Sequence, residues 1–292
     1  GELLADHRLR RELIATIVAN DLVNRMGATF VFRLARETGD GLVDVARAYW
    51  AAREVAGADR WWRRIEDVGD VVGPDRQLEL KARIDGLVAN LARAYLDEVV
   101  VGEVGDLIAR DRPVFERLLA TMDDIGTPAQ CRAREERVQL LLDDLIDPDL
   151  ALLLVVCKQL TMIPDVTGVA ASVPGDRAPA AIADTFLRLA AALGLERIEE
   201  LLGRIEPHDR WPRAEHAGLT ADLRRLRELA AVGAFTESPE AGEQEAVAAF
   251  LARREPRVRH VGNLTREAEQ ADEIRLDAIG VAVRAARDAI ES

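Results

Sequence analysis

Three carboxylates near the middle of the chain have a spacing that could hold a magnesium ion. The segment DDLID places Asp143 and Asp144 about one helical turn before Asp147. On a continuous helix, carboxylates four residues apart share a face and could hold Mg²⁺ against a diphosphate. Asp147 is followed at once by Pro148, however, which disfavours helical geometry in the residue before it. We therefore expect the helix to end here, and an acidic helix end is the simpler interpretation.

The DDxxD pattern resembles the magnesium–diphosphate motif of class I prenyl and terpene synthases, which are also all-α. A second acidic motif facing the first is not convincing, because Asp123 and Asp124 stand just before Gly126. Aromatic residues, which such enzymes use to stabilise carbocations, make up only 4% of the chain. A stand-alone α-helical enzyme of this type, using residues 143–147, is therefore the alternative hypothesis.

Other signatures of catalysis and metal binding are weak. His208 and His216 are eight residues apart and could share a helix face, but Pro212 lies between them and no third ligand is evident. We predict surface or capping histidines. The segment from Gly39 to Gly41 begins like a dinucleotide fingerprint, but it lacks the third glycine and a preceding strand. The sequence thus predicts no catalytic, cofactor-binding or metal-binding residue in this segment.

Composition indicates an all-α protein. The chain has 292 residues, of which 49% are hydrophobic, and it is dominated by the helix formers Ala, Leu, Arg and Glu. The net charge of -13 argues against nucleic acid as a partner. The longest apolar run is far short of a membrane span, so no membrane partner is expected. The two cysteines, Cys131 and Cys157, form no zinc motif and fit a cytoplasmic location.

Apolar periodicity and helix-stop residues predict a multi-helix bundle in a single domain, residues 1–292. The predicted helices cover residues 6–26, 29–37, 42–56, a segment beginning at 59, 76–99, 103–111, 113–124, 128–145, a segment beginning near 149, 179–193, 195–205, 209–232, 239–254 and a long C-terminal helix over 257–290.

An internal similarity appears when the chain is aligned with itself at an offset of 137 residues. Gly57 and Arg60 then align with Gly194 and Arg197, and Tyr49 aligns with Phe186. We interpret this as two diverged helical repeats, over residues 8–125 and 147–232, followed by a C-terminal helical extension over 239–290.

A stripe of Thr16, Asn20 and Asn24 recurs every four residues through the apolar first helix. Because the remaining apolar side chains cover most of the helix circumference, we expect this helix to be centrally buried, with the Asn side chains hydrogen-bonded. Asp21 and Arg25 are predicted to pair with each other across one turn.

Two further apolar features predict packing contacts. The adjacent Trp61 and Trp62 point about 100° apart on a helix, so we expect one to pack inward and the other to lie at a rim or interface. A seam with alternating spacings of three and four residues predicts helix packing, either within the chain or against a partner. Its members are Leu276, Ile279, Val283, Ala286 and Ile290.

The segment HRLRRELIATIVANDLVNRMGATFVFRLARETG, residues 7–39, followed by VARAYWAAREVAG, resembles the C-terminal helical region of the large NAD-specific glutamate dehydrogenases of bacteria. HDRWPRAEHAGLTADLRRL, residues 208–226, resembles a later part of the same region. The resemblance implies a parent enzyme that oxidises L-glutamate with NAD and water to 2-oxoglutarate, ammonium and NADH. It also implies that the catalytic and NAD-binding residues precede this segment, so none is carried over to it.

From the resemblance we expect a catalytically silent domain that packs on the rest of the parent chain, contributes to homo-oligomer contacts or relays regulation. A free-standing helical scaffold is the third hypothesis. Because the chain opens on Gly1 rather than Met, we expect it to be a fragment.

Overall fold

The computed structural model describes residues 9–292, and every regular element in that range is helical. The prediction of an all-α, multi-helix protein is therefore confirmed. In chain order the α-helices are α1 (Arg10–Met26), α2 (Phe30–Thr38), α3 (Leu42–Ala56), α4 (Ala58–Asp67), α5 (Gly69–Val72), α6 (Pro74–Val101), α7 (Val104–Thr121), α8 (Pro128–Asp143), α9 (Pro148–Leu160), α10 (Ile163–Ser172), α11 (Pro179–Ala192), α12 (Leu195–Leu202), α13 (Arg210–Glu237), α14 (Glu243–Gln270) and α15 (Leu276–Ile290).

The chain divides into two compact units. The first contains Gly1–Met122 and Arg134–Pro164, and the second contains Asp123–Ala133 and Asp165–Ser292. Helix α8 begins in the second unit and ends in the first. The interpretation of residues 1–292 as a single domain stays a prediction.

Helix α3 is the centre of the first unit. It packs against both α6 and α7, so it is buried on two sides rather than along one stripe. Its alanines allow the neighbouring helices to approach closely, while Tyr49 and Val55 fill the space between them. Gly57 ends α3 in the left-handed conformation, φ 56°, which a Cβ would disfavour, and α4 begins at the next residue.

Helices α11 to α15 build the core of the second unit. Helix α11 packs on α13 and α14, and α15 packs on α12, α13 and α14. The C-terminal seam faces this core, because Ile279, Val283, Ala286 and Ile290 are all buried. The seam is therefore a packing surface within the chain.

Two prolines do not end helices as predicted. Helix α7 runs through Pro113, where two shorter helices were expected, and α14 runs through Pro256. The predicted long C-terminal helix over residues 257–290 is wrong, because the chain breaks at residues 271–275 and separates α14 from α15.

Packing on both sides of each proline explains why these helices continue. Asp111 and Phe115, which flank Pro113, are both buried. A proline inside a helix removes one hydrogen bond and strains the preceding turn. Around Pro256, Phe250 and Val261 are buried and Arg254 pairs with Glu237 of α13 at 2.6 Å. Contacts of this kind hold the helical turns in place and offset the free-energy cost of a proline inside the helix.

The prediction that one of the two adjacent tryptophans lies at a rim is wrong. Trp61 and Trp62 are 2% and 1% exposed. The indole Nε1 of Trp61 donates to the carbonyl of Ala56 at 3.1 Å, and that of Trp62 donates to Asp85 of α6 at 2.9 Å. Both indoles can be buried because each ring nitrogen has a polar partner.

Helix boundaries on the two sides of the internal similarity agree closely. Shifted by 137 residues, α3 and α4 fall on α11 and α12, and α6 falls within one residue of α13, both being 28 residues long. Beyond the predicted end at residue 232, the shifted start of α7 falls within two residues of the start of α14, but α14 is longer, with 28 residues against 18. The duplication stays a prediction, and this coincidence of boundaries favours it.

Within residues 9–292, no individual helix has the length and apolar character needed to cross a membrane. The bent pair α9 and α10 meets the criteria of length and composition only when its two helices are taken together.

Replacing Trp62 by alanine tests the importance of the buried tryptophan pair. We expect Trp62→Ala to lower the free energy of unfolding by about 3–5 kcal/mol, because it removes a large buried side chain and leaves Asp85 without this donor. Trp211→Ala is the matched control, since Trp211 is 75% exposed, and it should cost less than about 0.5 kcal/mol. Urea unfolding followed by circular dichroism measures both variants. Equal losses of unfolding free energy would contradict a stabilising role for the buried Trp62.

Candidate functional site

Helix α1 presents its apolar side chains to solvent, so the prediction of a centrally buried helix is wrong. Ile17 is 51% exposed and Val23 is 47% exposed, and the stripe residues Thr16, Asn20 and Asn24 are exposed as well. Of the α1 side chains that the structure describes, Leu22 is buried and Val18, Asp21, Arg25 and Met26 are half-buried. The helix is thus attached to the first unit by its other side.

Charged side chains make much of this attachment. Asp21 accepts a hydrogen bond from the hydroxyl of Tyr49 on α3 at 2.6 Å and pairs with Arg53 at 3.0 Å. Arg25 pairs with Glu66 of α4 at 2.8 Å and lies over the ring of Trp62. The predicted pair between Asp21 and Arg25 is therefore replaced by contacts to other helices, from Asp21 to α3 and from Arg25 to α4.

The Asp21–Tyr49 contact lies in a partly buried environment. Burial, followed by the hydrogen bond to Asp21, raises the pKa of Tyr49 well above its ordinary value of 10. The hydroxyl thus stays a donor throughout the neutral range. It orients α1 with its charged side toward α3.

The opposite side of α1 is an uncharged surface that we call the outward face. At about 100° per residue, its members occupy roughly a third of the helix circumference. They are Leu13, Thr16, Ile17, Asn20, Val23 and Asn24. A contiguous exposed surface without charge is typical of an interaction site rather than of a solvated helix face. The outward face is the strongest candidate functional surface of the first unit.

The DDLID carboxylates are committed to separate structural partners. Helix α8 ends at Asp143, which accepts from Gln139, and Asp144 pairs with Arg76 of α6 at 2.8 Å. Asp147 caps α9 by accepting from the amide of Leu150 at 3.1 Å. The three side chains therefore straddle a helix break, as the proline predicted, instead of sharing one helix face.

The histidine pair is also divided. His208 lies in the loop before α13, whereas His216 lies within that helix. The ring Nε2 of His216 is 3.1 Å from the carbonyl of Leu202 at the end of α12. This contact of His216 caps a helix C-terminus, and His208 is exposed, in line with the predicted surface or capping roles.

A cleft of about 180 Å³ lies where α3 meets α4 in the first unit. Two of its cationic side chains are in ion pairs: Arg53 pairs with Asp59 and Glu54, and Arg112 pairs with Glu116 at 3.5 Å. Its volume is below the range of typical small-molecule sites. The cleft is therefore a weak candidate for ligand binding.

An ionisable cluster in the second unit was missed by the sequence analysis. Asp165 on α10 is buried and accepts from the Nε of Arg224 on α13 at 2.6 Å. Burial raises the pKa of Asp165 to about 7; Arg224 opposes this shift and the neighbouring Glu228 adds to it. The spacing of Arg224 and Glu228, four residues apart, was the available signal, but nothing local linked it to Asp165.

Within the described residues Cys131 and Cys157 form no disulfide, and Cys157 is buried. Burial raises the pKa of the Cys157 thiol to about 12, with the charge of Arg83 opposing the shift. A thiol with so little thiolate at neutral pH is a poor nucleophile. Cys157 therefore packs as an apolar side chain of α9.

The DDLID motif offers a matched pair of substitutions. We expect Asp147→Ala to lower the free energy of unfolding by about 1–2 kcal/mol, because it removes the cap of α9 and a 3.1 Å ion pair to Arg64. Asp143→Ala should cost less than about 0.5 kcal/mol, since Asp143 is exposed. Urea unfolding with and without Mg²⁺ measures both variants. A Mg²⁺-dependent stabilisation that either substitution abolishes would contradict the capping role.

The raised pKa of Asp165 predicts a pH dependence of stability. The unfolded chain ionises this carboxyl near its ordinary pKa of 3.8, whereas the folded protein retains the proton up to about 7. The folded state thus binds more protons between these values, so its contribution to stability is full below about pH 4 and is lost as the pH rises to about 7. We expect Asp165→Asn to reduce the fall in unfolding free energy between pH 5 and pH 8.

Urea unfolding at the two pH values measures this difference. Asp176→Asn, at an exposed loop position, is the control and should retain the wild-type pH dependence. An unchanged pH dependence in Asp165→Asn would reject the assignment.

Comparison with known proteins places these features in a family. A family model described as "Glutamate dehydrogenase, C-terminal" matches residues 1–288. The NAD-specific glutamate dehydrogenase of Halomonas elongata is 30% identical over 209 residues, covering 70% of this chain and 13% of that protein.

Two further NAD-specific glutamate dehydrogenases are similar. The Pseudomonas aeruginosa protein is 42% identical over 96 residues, covering 33% of this chain and 6% of that protein. The Mycobacterium tuberculosis protein is 27% identical over 221 residues, covering 75% of this chain and 13% of that protein. The chain thus matches only a small part of each relative's length, and by the family match it belongs to the C-terminal region of the glutamate dehydrogenase family.

Proposed function

We propose that this chain is the non-catalytic C-terminal helical domain of an NAD-dependent glutamate dehydrogenase. The observation that carries the proposal is the family match over residues 1–288, combined with relatives of which the chain covers 13% or less. The parent enzyme would convert L-glutamate, NAD and water to 2-oxoglutarate, ammonium and NADH. This domain would pack on the rest of the same polypeptide.

The contacts of the chemically capable side chains support a structural role. Asp147 caps α9, His216 contacts the end of α12, and Asp21 holds Tyr49. The glycine pair at Gly39 and Gly41 forms the turn between α2 and α3, both of which are helices, so it lacks the strand that a dinucleotide-binding turn follows. NAD and the catalytic residues would therefore belong to another part of the parent enzyme.

Self-association and a cytoplasmic location are further parts of the proposal. Exposed apolar side chains on α2 and at the start of α3 support contacts between subunits; they are Phe32, Leu42 and Val43. Cys131 and Cys157 form no disulfide within the described residues, which fits a reducing compartment. Self-association can be tested by light scattering, which measures the molar mass of the full-length enzyme with and without the substitutions Phe32→Glu and Val43→Glu.

The prenyl-synthase alternative is disfavoured by the geometry of residues 143–147, which lie across the break between α8 and α9. A free-standing scaffold would share the fold described above but would not require a catalytic region in the same polypeptide. The length of the natural open reading frame separates that hypothesis from the dehydrogenase domain.

Activity assays on two proteins test the proposed function. We expect the full-length enzyme to form NADH from NAD in the presence of L-glutamate, and the isolated residues 1–292 to form none above a no-enzyme blank. A helical circular dichroism spectrum of the isolated chain provides the folding control. Glutamate-dependent NADH formation by the isolated chain would show that it carries catalytic residues, and an inactive full-length protein would reject the dehydrogenase assignment.

A further inference from the structure

The outward face of α1 is built like a packed surface although it is exposed. Its side chains are apolar or uncharged, whereas the charged Asp21 and Arg25 of the same helix bind α3 and α4. An isolated surface helix has the reverse arrangement, with charge toward water and apolar groups toward the core. We therefore expect an apolar protein surface to cover this face.

Another helix of the same chain, α9, carries an equivalent face that is buried. At the offset of 137 residues, α1 aligns with α9. Five of the six outward-face positions then align with buried residues, and the sixth, Asn24, aligns with the half-buried Thr161. The buried counterparts of Leu13, Thr16, Ile17, Asn20 and Val23 are Leu150, Leu153, Leu154, Cys157 and Leu160.

A pair of helices covers α9 in the first unit. Helix α9 packs on both α6 and α7. The counterparts of α6 and α7 in the second unit are α13 and α14, and this pair also carries an apolar helix, α15. In both units, therefore, an apolar helix packs on two consecutive helices that precede it in the chain. In stacked repeats, each unit buries the apolar face of its neighbour in this way.

We propose that the outward face of α1 packs against two consecutive amphipathic helices in the polypeptide that precedes α1 in the full-length dehydrogenase. This inference rests on the proposed function, in which this domain follows the catalytic part of the same polypeptide. The relatives are long enough to supply such a segment, because the matched region is 13% or less of their length.

The chemistry of the face and the packing of the units define this occupant. Leu13, Ile17 and Val23 require apolar side chains opposite them, and Asn20 and Asn24 require hydrogen-bonding groups once they are desolvated. A second copy of this chain is a poorer fit, because its two equivalent helix pairs are already covered by α9 and α15. The preceding polypeptide is therefore the favoured source.

Thiol labelling of the full-length enzyme tests whether the outward face is covered. We expect Ile17→Cys to react with a maleimide at least tenfold more slowly than Leu78→Cys, measured by mass spectrometry of the two peptides. Leu78 is the matched control: it lies on α6, is 67% exposed and aligns at the same offset with the exposed Glu215. Both variants should react equally in urea. Equal rates in the native enzyme would overturn the proposal.

Photo-cross-linking from position 17 identifies the occupant. With p-benzoylphenylalanine in place of Ile17, the expected product has the mass of one chain on a denaturing gel, and the linked peptide comes from the segment preceding α1. A product with the mass of two chains would overturn the proposal in favour of a second copy. A link only to a helix within residues 9–292 of the same chain would also overturn it.

Assays of glutamate-dependent NADH formation on the same preparations distinguish failure of the docking surface from failure of the proposed function. An active glutamate dehydrogenase with a rapidly labelled Ile17→Cys would reject the docking surface and retain the proposed function. An enzyme inactive toward glutamate, but with position 17 protected and linked to the preceding segment, would reject the proposed activity and retain the docking surface.

Discussion

Close packing around α3 is the constraint on which the first unit depends. This helix is buried between α6 and α7, which its small alanine side chains permit. Its larger side chains then decide what can attach at its edge. Tyr49 directs its hydroxyl to Asp21, and Arg53 adds an ion pair to the same carboxylate. Because these contacts bind the charged side of α1, the uncharged side is turned away from α3.

The orientation of α1 explains why its apolar residues are exposed. Single apolar side chains on a protein surface are common, but a whole helix face without charge is not. Asp21 and Arg25 of α1 have specific partners in Tyr49, Arg53 and Glu66, so the contact of this side with the first unit is well defined. The buried counterpart positions on α9 indicate that the same helical pattern can serve as a core surface once its covering helices are present.

The polar chemistry of the chain serves mainly to join and end helices. Asp147 caps α9, His216 contacts the end of α12, and Asp165 binds Arg224. Each of these groups is a candidate catalytic residue by its chemical type, since carboxylates and imidazoles do most acid–base chemistry. Their partners in the structure are backbone groups and guanidinium groups. This agrees with the proposed structural role of the domain.

The sequence by itself determined the helical class and most helix boundaries, because periodicity, glycine stops and proline starts act within a few residues. Helix α3 was predicted at residues 42–56 and occupies Leu42–Ala56, and the break after Asp147 followed from Pro148. Tertiary structure decided the rest. Packing carried α7 through Pro113 and α14 through Pro256, and it buried both Trp61 and Trp62. It also turned the charged side of α1 inward, since apolar periodicity shows that a helix has an apolar face but not which partner covers it.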